Sequence, residues 1–121
     1  MSGPTQVQSG PFEVKIPIGG QVFEFKFRKP TAREWMDYEA ARLAFATATA
    51  TGNANAAVAR EMMEKSEELC TRVVNSHSAQ QLVDLHEEHL GLFFPLGSAI
   101  ADVVDALRAG AGKASAPPGG A

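Results

Sequence analysis

Apolar and polar residues alternate with period two from Phe12 to Phe27, and the alternation is interrupted once, at Gly19-Gly20. Two glycines can both take φ > 0, as a two-residue primed turn requires. The pattern predicts an antiparallel hairpin over 12–28 with a defined register. Ile18 then faces Gln21. Ile16 faces Phe23, Val14 faces Phe25 and Phe12 faces Phe27, all on one apolar face. The other face pairs Lys15 with Glu24 and Glu13 with Lys26, opposite charges across the strands. A slip of one residue would mix the two faces. Pro17 has no N–H for a ladder and belongs on an edge. A lone hairpin is marginal in water, so something must cover the Phe face. Phe23, Phe25 and Phe27 are expected in the core.

After Lys29-Pro30 the apolar period changes to that of a helix. Thr31 and Glu34 form a capping box before a first helix at about 32–49. Its expected stripe is Trp35, Met36, Leu43 and Ala46, with Tyr38 and Phe45 beside it. Gly52-Asn53 stops it after an Ala/Thr run. A second helix at about 55–74 presents Val58, Met62, Leu69 and Val73, with Cys70 and Val74 adjacent. Glu61, Glu64, Lys65, Glu67 and Glu68 fall largely on the other side, as a solvated face. Ser78 and Gln81 are a second capping box. The third helix, 79–90, carries Leu82, Leu85 and His89 on one side and Val83, His86 and Leu90 on the next, and Gly91 ends it. A fourth helix at about 96–108 follows Pro95, with Ile100, Val103, Val104 and Leu107 as its apolar face and Asp102 and Asp105 outside. Residues 1–10 read as a flexible N-terminus and 109–121 as a disordered tail of small residues. The expected fold is a single α+β domain over 11–108: an N-terminal two-stranded antiparallel hairpin packed on a bundle of about four helices.

Composition narrows the function classes. A chain of 121 residues is one domain by size. A formal net charge of -3, with basic residues scattered apart from Arg28-Lys29, leaves no electrostatic footprint for nucleic acid. The single cysteine, Cys70, excludes an intramolecular disulfide and a cysteine-rich zinc site, and reads as a small core hydrophobe. The first residues have neither a basic nor an apolar signal segment, and no apolar run reaches the ~18 residues of a membrane span. A cytoplasmic protein is expected.

The one motif that invites chemistry is HEEH, His86 to His89. A zincin helix needs H-E-x-x-H, with two His a full turn apart. Here they stand three apart, and His77 is the only evident third ligand. The alternative is that both line the edge of a helix contact. There is no G-x-S-x-G elbow and no P-loop. No catalytic, cofactor-binding or metal residue is assigned, and an enzyme is not expected. What remains is interaction surface. Leu92, Phe93 and Phe94 can dock a partner or fold under the hairpin as core, and the second is favoured because a small domain needs most of its Phe inside. Met63 offers an adaptable surface, whereas Met62 lies in the core stripe.

The segment FEFKFRKPTAREWMDYE, an extended strand giving way to a helix, and the late segment FFPLGSAIADVVDALRAG resemble the tail assembly chaperones of long-tailed bacteriophages and prophages. The resemblance covers residues 12–110 loosely, as order, size and composition rather than a strict motif. The Ala/Thr run and HEEH have no counterpart in it. It implies a non-enzymatic late phage protein of the host bacterial cytoplasm. Such a protein binds the tape measure protein and tail tube subunits, keeps them soluble and uses no cofactor. The family is often made in two lengths by ribosomal frameshifting, and Gly112-Lys113 could be encoded by a slippery run. Two other classes stay open: a small structural virion protein, such as a head–tail connector or tail-associated component, and a small metal-binding enzyme using His86 and His89.

Overall fold

The alternating segment forms strands β1 (Phe12–Ile18) and β2 (Gln21–Phe27), paired antiparallel in the expected register, from Phe12 opposite Phe27 to Ile18 opposite Gln21. Gly19 and Gly20 turn the chain at φ of 58° and 82°, which side chains rarely tolerate. The computed structural model describes residues 11–115, with side chains through residue 110. Within it four helices follow the hairpin: α1 (Ala32–Ala50), α2 (Ala56–Val73), α3 (Ala79–Glu88) and α4 (Phe93–Ser115). The architecture is α+β. The expected flexible segment 1–10 and the tail from 116 onward lie outside the described residues.

The caps explain where the helices begin. Thr31 accepts from the Glu34 N–H and the Glu34 carboxylate accepts from the Thr31 N–H, completing a capping box. Asn55 accepts from the Val58 N–H at 3.0 Å at the start of α2, and Ser78 and Gln81 form the second box before α3. α1 ends with Gly52 at φ 75°, where the Asn53 N–H bonds to the Ala48 carbonyl and the Gly52 N–H to that of Thr49.

Helix α2 is the centre of the molecule. α1, α3 and α4 all pack on it, and α4 also packs on β1. Met62, Leu69, Cys70 and Val73 of α2 are buried with Leu82 of α3 and with Leu96, Ile100, Ala101 and Val104 of α4. Ile16, Phe25 and Phe27 complete the core from the hairpin, while Phe12, Val14, Ile18 and Phe23 are partly buried against it. Burying side chains of this size contributes about 1.5–3 kcal/mol each. α4 approaches α2 closely at Gly97, whose Cβ, if it had one, would lie 3.4 Å from Ser66 Cβ. Ser66 is buried without loss because its hydroxyl donates to the Met62 carbonyl at 2.8 Å.

Five expectations are corrected. The second helix ends at Val73, because Val74 leaves it to form an antiparallel bridge with Phe27. Around that bridge the Arg28 N–H bonds to the Val73 carbonyl, the Asn75 N–H to the Lys26 carbonyl and the Lys26 N–H to Ser76 Oγ, each at 2.9 Å. The outer edge of β2 is thereby satisfied by a short third segment. The third helix stops at Glu88, two residues before Leu90. The fourth begins at Phe93 rather than Leu96, since Pro95 falls in a first turn whose N–H groups need no intrahelical partner. It also continues past Arg108 to Ser115, because an established helix propagates through alanine at little cost despite interspersed glycine.

The stripe expected on α1 is the fifth correction. Trp35, Tyr38 and Ala41 are buried and Phe45 is partly buried, whereas Met36 and Leu43 are 68% and 58% exposed and Ala46 also faces solvent. α1 is apolar on two opposite faces, so its own periodicity does not choose between them.

Candidate functional site

The three histidines do not converge. Each packs on its own phenylalanine: His77 on Phe25 at 4.8 Å between centroids, His89 on Phe23 at 5.4 Å and His86 on Phe93 at 4.6 Å. His86 Nδ1 accepts from the Leu92 N–H at 2.8 Å, which puts its own proton on Nε2. His77 Nδ1 is 2.9 Å from Ser76 Oγ, and His89 Nδ1 sits 3.3 Å from where a Cβ on Gly19 would be. Among the described residues no three His, Cys, Asp or Glu side chains are grouped to hold a metal ion. HEEH is a seam between α3, the hairpin and α4.

Leu92 and Phe93 are fully buried, which removes the docking role for them and leaves the favoured core role. They sit where α4 starts, and the first turn of a helix packed on α2 and β1 has no solvent face for both. Cys70 Sγ lies 3.9 Å from the Phe93 carbonyl, and burial pushes that thiol well above its usual range. Phe94 points the other way and is 38% exposed. Met63 is half-buried against the core rather than standing free.

Phe94 belongs to a groove that α1 and α4 form over α2. Tyr38, Arg42 and Phe45 line one wall, Phe94, Pro95 and Ser98 the other, and Met62 the floor. The groove has a volume of about 400 Å³, is mostly apolar and is open to solvent along one side. Two contacts tie its walls together. Phe45 and Phe94 meet with centroids 6.0 Å apart and rings at 56°. Arg42 reaches Asp105 of α4 at 3.1 Å, while it also pairs with Glu39 and covers the Trp35 ring at 5.2 Å. Burial is the main cause that pushes the Tyr38 phenol up to about 12, against the opposing pull of the Arg42 charge. Tyr38 stays a neutral wall with one hydroxyl. A second, smaller groove of about 290 Å³ lies between β2 and α3, at Phe23, His77 and Leu85.

No protein-family model matches the chain, and no curated protein or solved structure matches it.

The groove is larger than the one beside β2, and the sequence held a partial signal for it. Trp35, Tyr38, Arg42 and Phe45 recur at helical spacing and define one side of α1. What could not be read was that Phe94, some fifty positions later, stands opposite Phe45. Among the described residues no helix is long and apolar enough to cross a membrane.

Proposed function

We propose that this chain is a tail assembly chaperone of a long-tailed bacteriophage or prophage. It binds the tape measure protein and tail tube subunits in the host cytoplasm and keeps them soluble until they assemble. The reading assigns no catalytic group and no cofactor. The observation that carries it, beside the resemblance of residues 23–39 and 93–110, is the apolar surface around α1. Met36 and Leu43 stand exposed on one face, and the groove with Phe45 and Phe94 opens on another. Exposed apolar surface on a domain this small marks a place where another protein binds. A holding protein needs that surface, and it needs no reactive centre. A metal enzyme built on His86 has the less support, because Nδ1 of that residue is occupied by the Leu92 N–H.

The test is co-expression with the tape measure protein of the same phage. The soluble fraction of that protein is expected to rise several-fold in the presence of this chain. Equal solubility with and without it ends the proposal.

A further inference from the structure

We propose that the groove between α1 and α4 is a docking site for a single amphipathic helix whose large apolar anchors are flanked by lysine or arginine. The shape comes first. The walls are two helices and the floor is a third, so the missing element is a helix laid into the gap, as side-chain ridges pack into grooves. A volume of about 400 Å³ accepts the anchors of one helix face and excludes a folded domain. Phe45, Phe94, Pro95 and Met62 present apolar surface to those anchors. Binding in this mode is carried by side chains at i, i+3 or i+4, and i+7.

The charge then selects the partner. One basic group, Arg42, lines the groove, and it is already held by Glu39 and Asp105. Asp102 stands one turn beyond Ser98 on the same wall and acts on Tyr38. Lys65 of α2 is tied to Glu68 at 3.5 Å and lines a separate cleft with Tyr38. Two carboxylates thus pair with one cation beside the groove and Asp102 adds a third negative charge on the α4 side, so the rim carries net negative charge. A second copy of this chain would bring an identical acidic rim to the groove, and like charges across an interface disfavour it. A helix with basic flanks is attracted to the same rim, with a dependence on ionic strength.

The inference rests on the proposed holding activity only for its partner being a protein segment. The two can fail separately, because the experiment uses the purified chain and a synthetic peptide. The probe is a helical peptide of about 14 residues with Leu anchors, Lys flanks and no tryptophan. Its control carries Glu in place of every Lys. Trp35 is the sole tryptophan and lies buried beneath Arg42, so its emission reports binding at the groove. The Lys peptide is expected to give a saturable change and to bind at least about tenfold more tightly than the Glu peptide, a gap that narrows with salt. Phe94→Ser alters an exposed position, so far-UV circular dichroism stays native while affinity falls at least about tenfold. Asp102→Lys weakens the Lys peptide and strengthens the Glu peptide, a crossing that lost structure cannot produce. Equal affinity for the two peptides, no saturable change, or indifference to Phe94→Ser overturns the proposal. A concentration-dependent dimer that Phe94→Ser dissociates also overturns it, and assigns the groove to a second copy.

Discussion

Leu90 stands where a glycine is expected. It has φ of 56°, and among the described residues it is the only non-glycine with positive φ. Its N–H bonds to the Glu87 carbonyl, and the Gly91 N–H bonds to the His86 carbonyl at 2.9 Å. Those two bonds make the terminal motif that α1 closes with Gly52, but here a leucine takes the left-handed position and the glycine comes one residue late. Left-handed backbone costs an L residue about 1–2 kcal/mol. The side chain recovers little of this, being 94% exposed. Leu90→Gly is therefore expected to stabilise the protein by about 1 kcal/mol, the entropy of the extra glycine offsetting part of the gain. A urea midpoint that fails to rise would show that Leu90 does more than its exposure suggests. The sequence marks Gly91 as the stop; which residue adopts φ > 0 depends on how α4 is then positioned.

At the scale of elements, α4 begins without a conventional cap. Leu92 stands just ahead of its first residue and has no side-chain oxygen to offer the free N–H groups. His86 of α3 takes that place: Nδ1 accepts from Leu92 and, at 3.5 Å, from Phe93, while the ring stacks on the Phe93 ring. One residue closes α3 with its carbonyl and opens α4 with its imidazole. His86→Ala removes both the acceptor and the stack, and is expected to cost about 1–2 kcal/mol by chemical denaturation. His86→Asn keeps an acceptor near the place of Nδ1 and should recover part of the loss. If the two variants are equally unstable, the hydrogen bond is not what matters. The capping boxes at Thr31 and Ser78 are legible because donor and acceptor are neighbours in the chain. The cap from His86 is not, because the helix it serves starts seven residues later and its imidazole also resembles a metal ligand.

Across the whole molecule, Arg28 joins the hairpin to the start of α1 and the end of α2. Its guanidinium meets the Glu34 carboxylate through two bonds of 2.9 Å, and it donates to the Arg72 carbonyl at 3.1 Å. The Arg28 hydrogen bonds hold the Glu34 carboxyl at about 2, below its ordinary 4.5, against the opposing effect of burial and with help from the Thr31 N–H. A lowered carboxyl value means that the folded state favours the charged form. The resulting stability is complete above about pH 4.5 and is lost as the pH falls towards about 2. The stability difference between wild type and Glu34→Gln, measured by urea midpoints across that range, is expected to be full at pH 6 and to shrink towards pH 2. A difference independent of pH would leave the ion pair without a part in linking the elements.

The types of element, the hairpin register and three of the helix starts follow from the sequence alone. Each depends on period, adjacent turn residues or donors and acceptors a few positions apart, and local sterics settles these before any long-range contact forms. The tertiary structure decided the rest. It chose the Trp35–Tyr38 face of α1 over the Met36–Leu43 face, drew Val74 out of α2 to cover β2, buried Leu92 and Phe93, and set Phe94 across from Phe45. In each of these cases the local pattern permits either choice. What separates them is apolar area buried against residues remote in the chain, a quantity that exists only once the helices have packed.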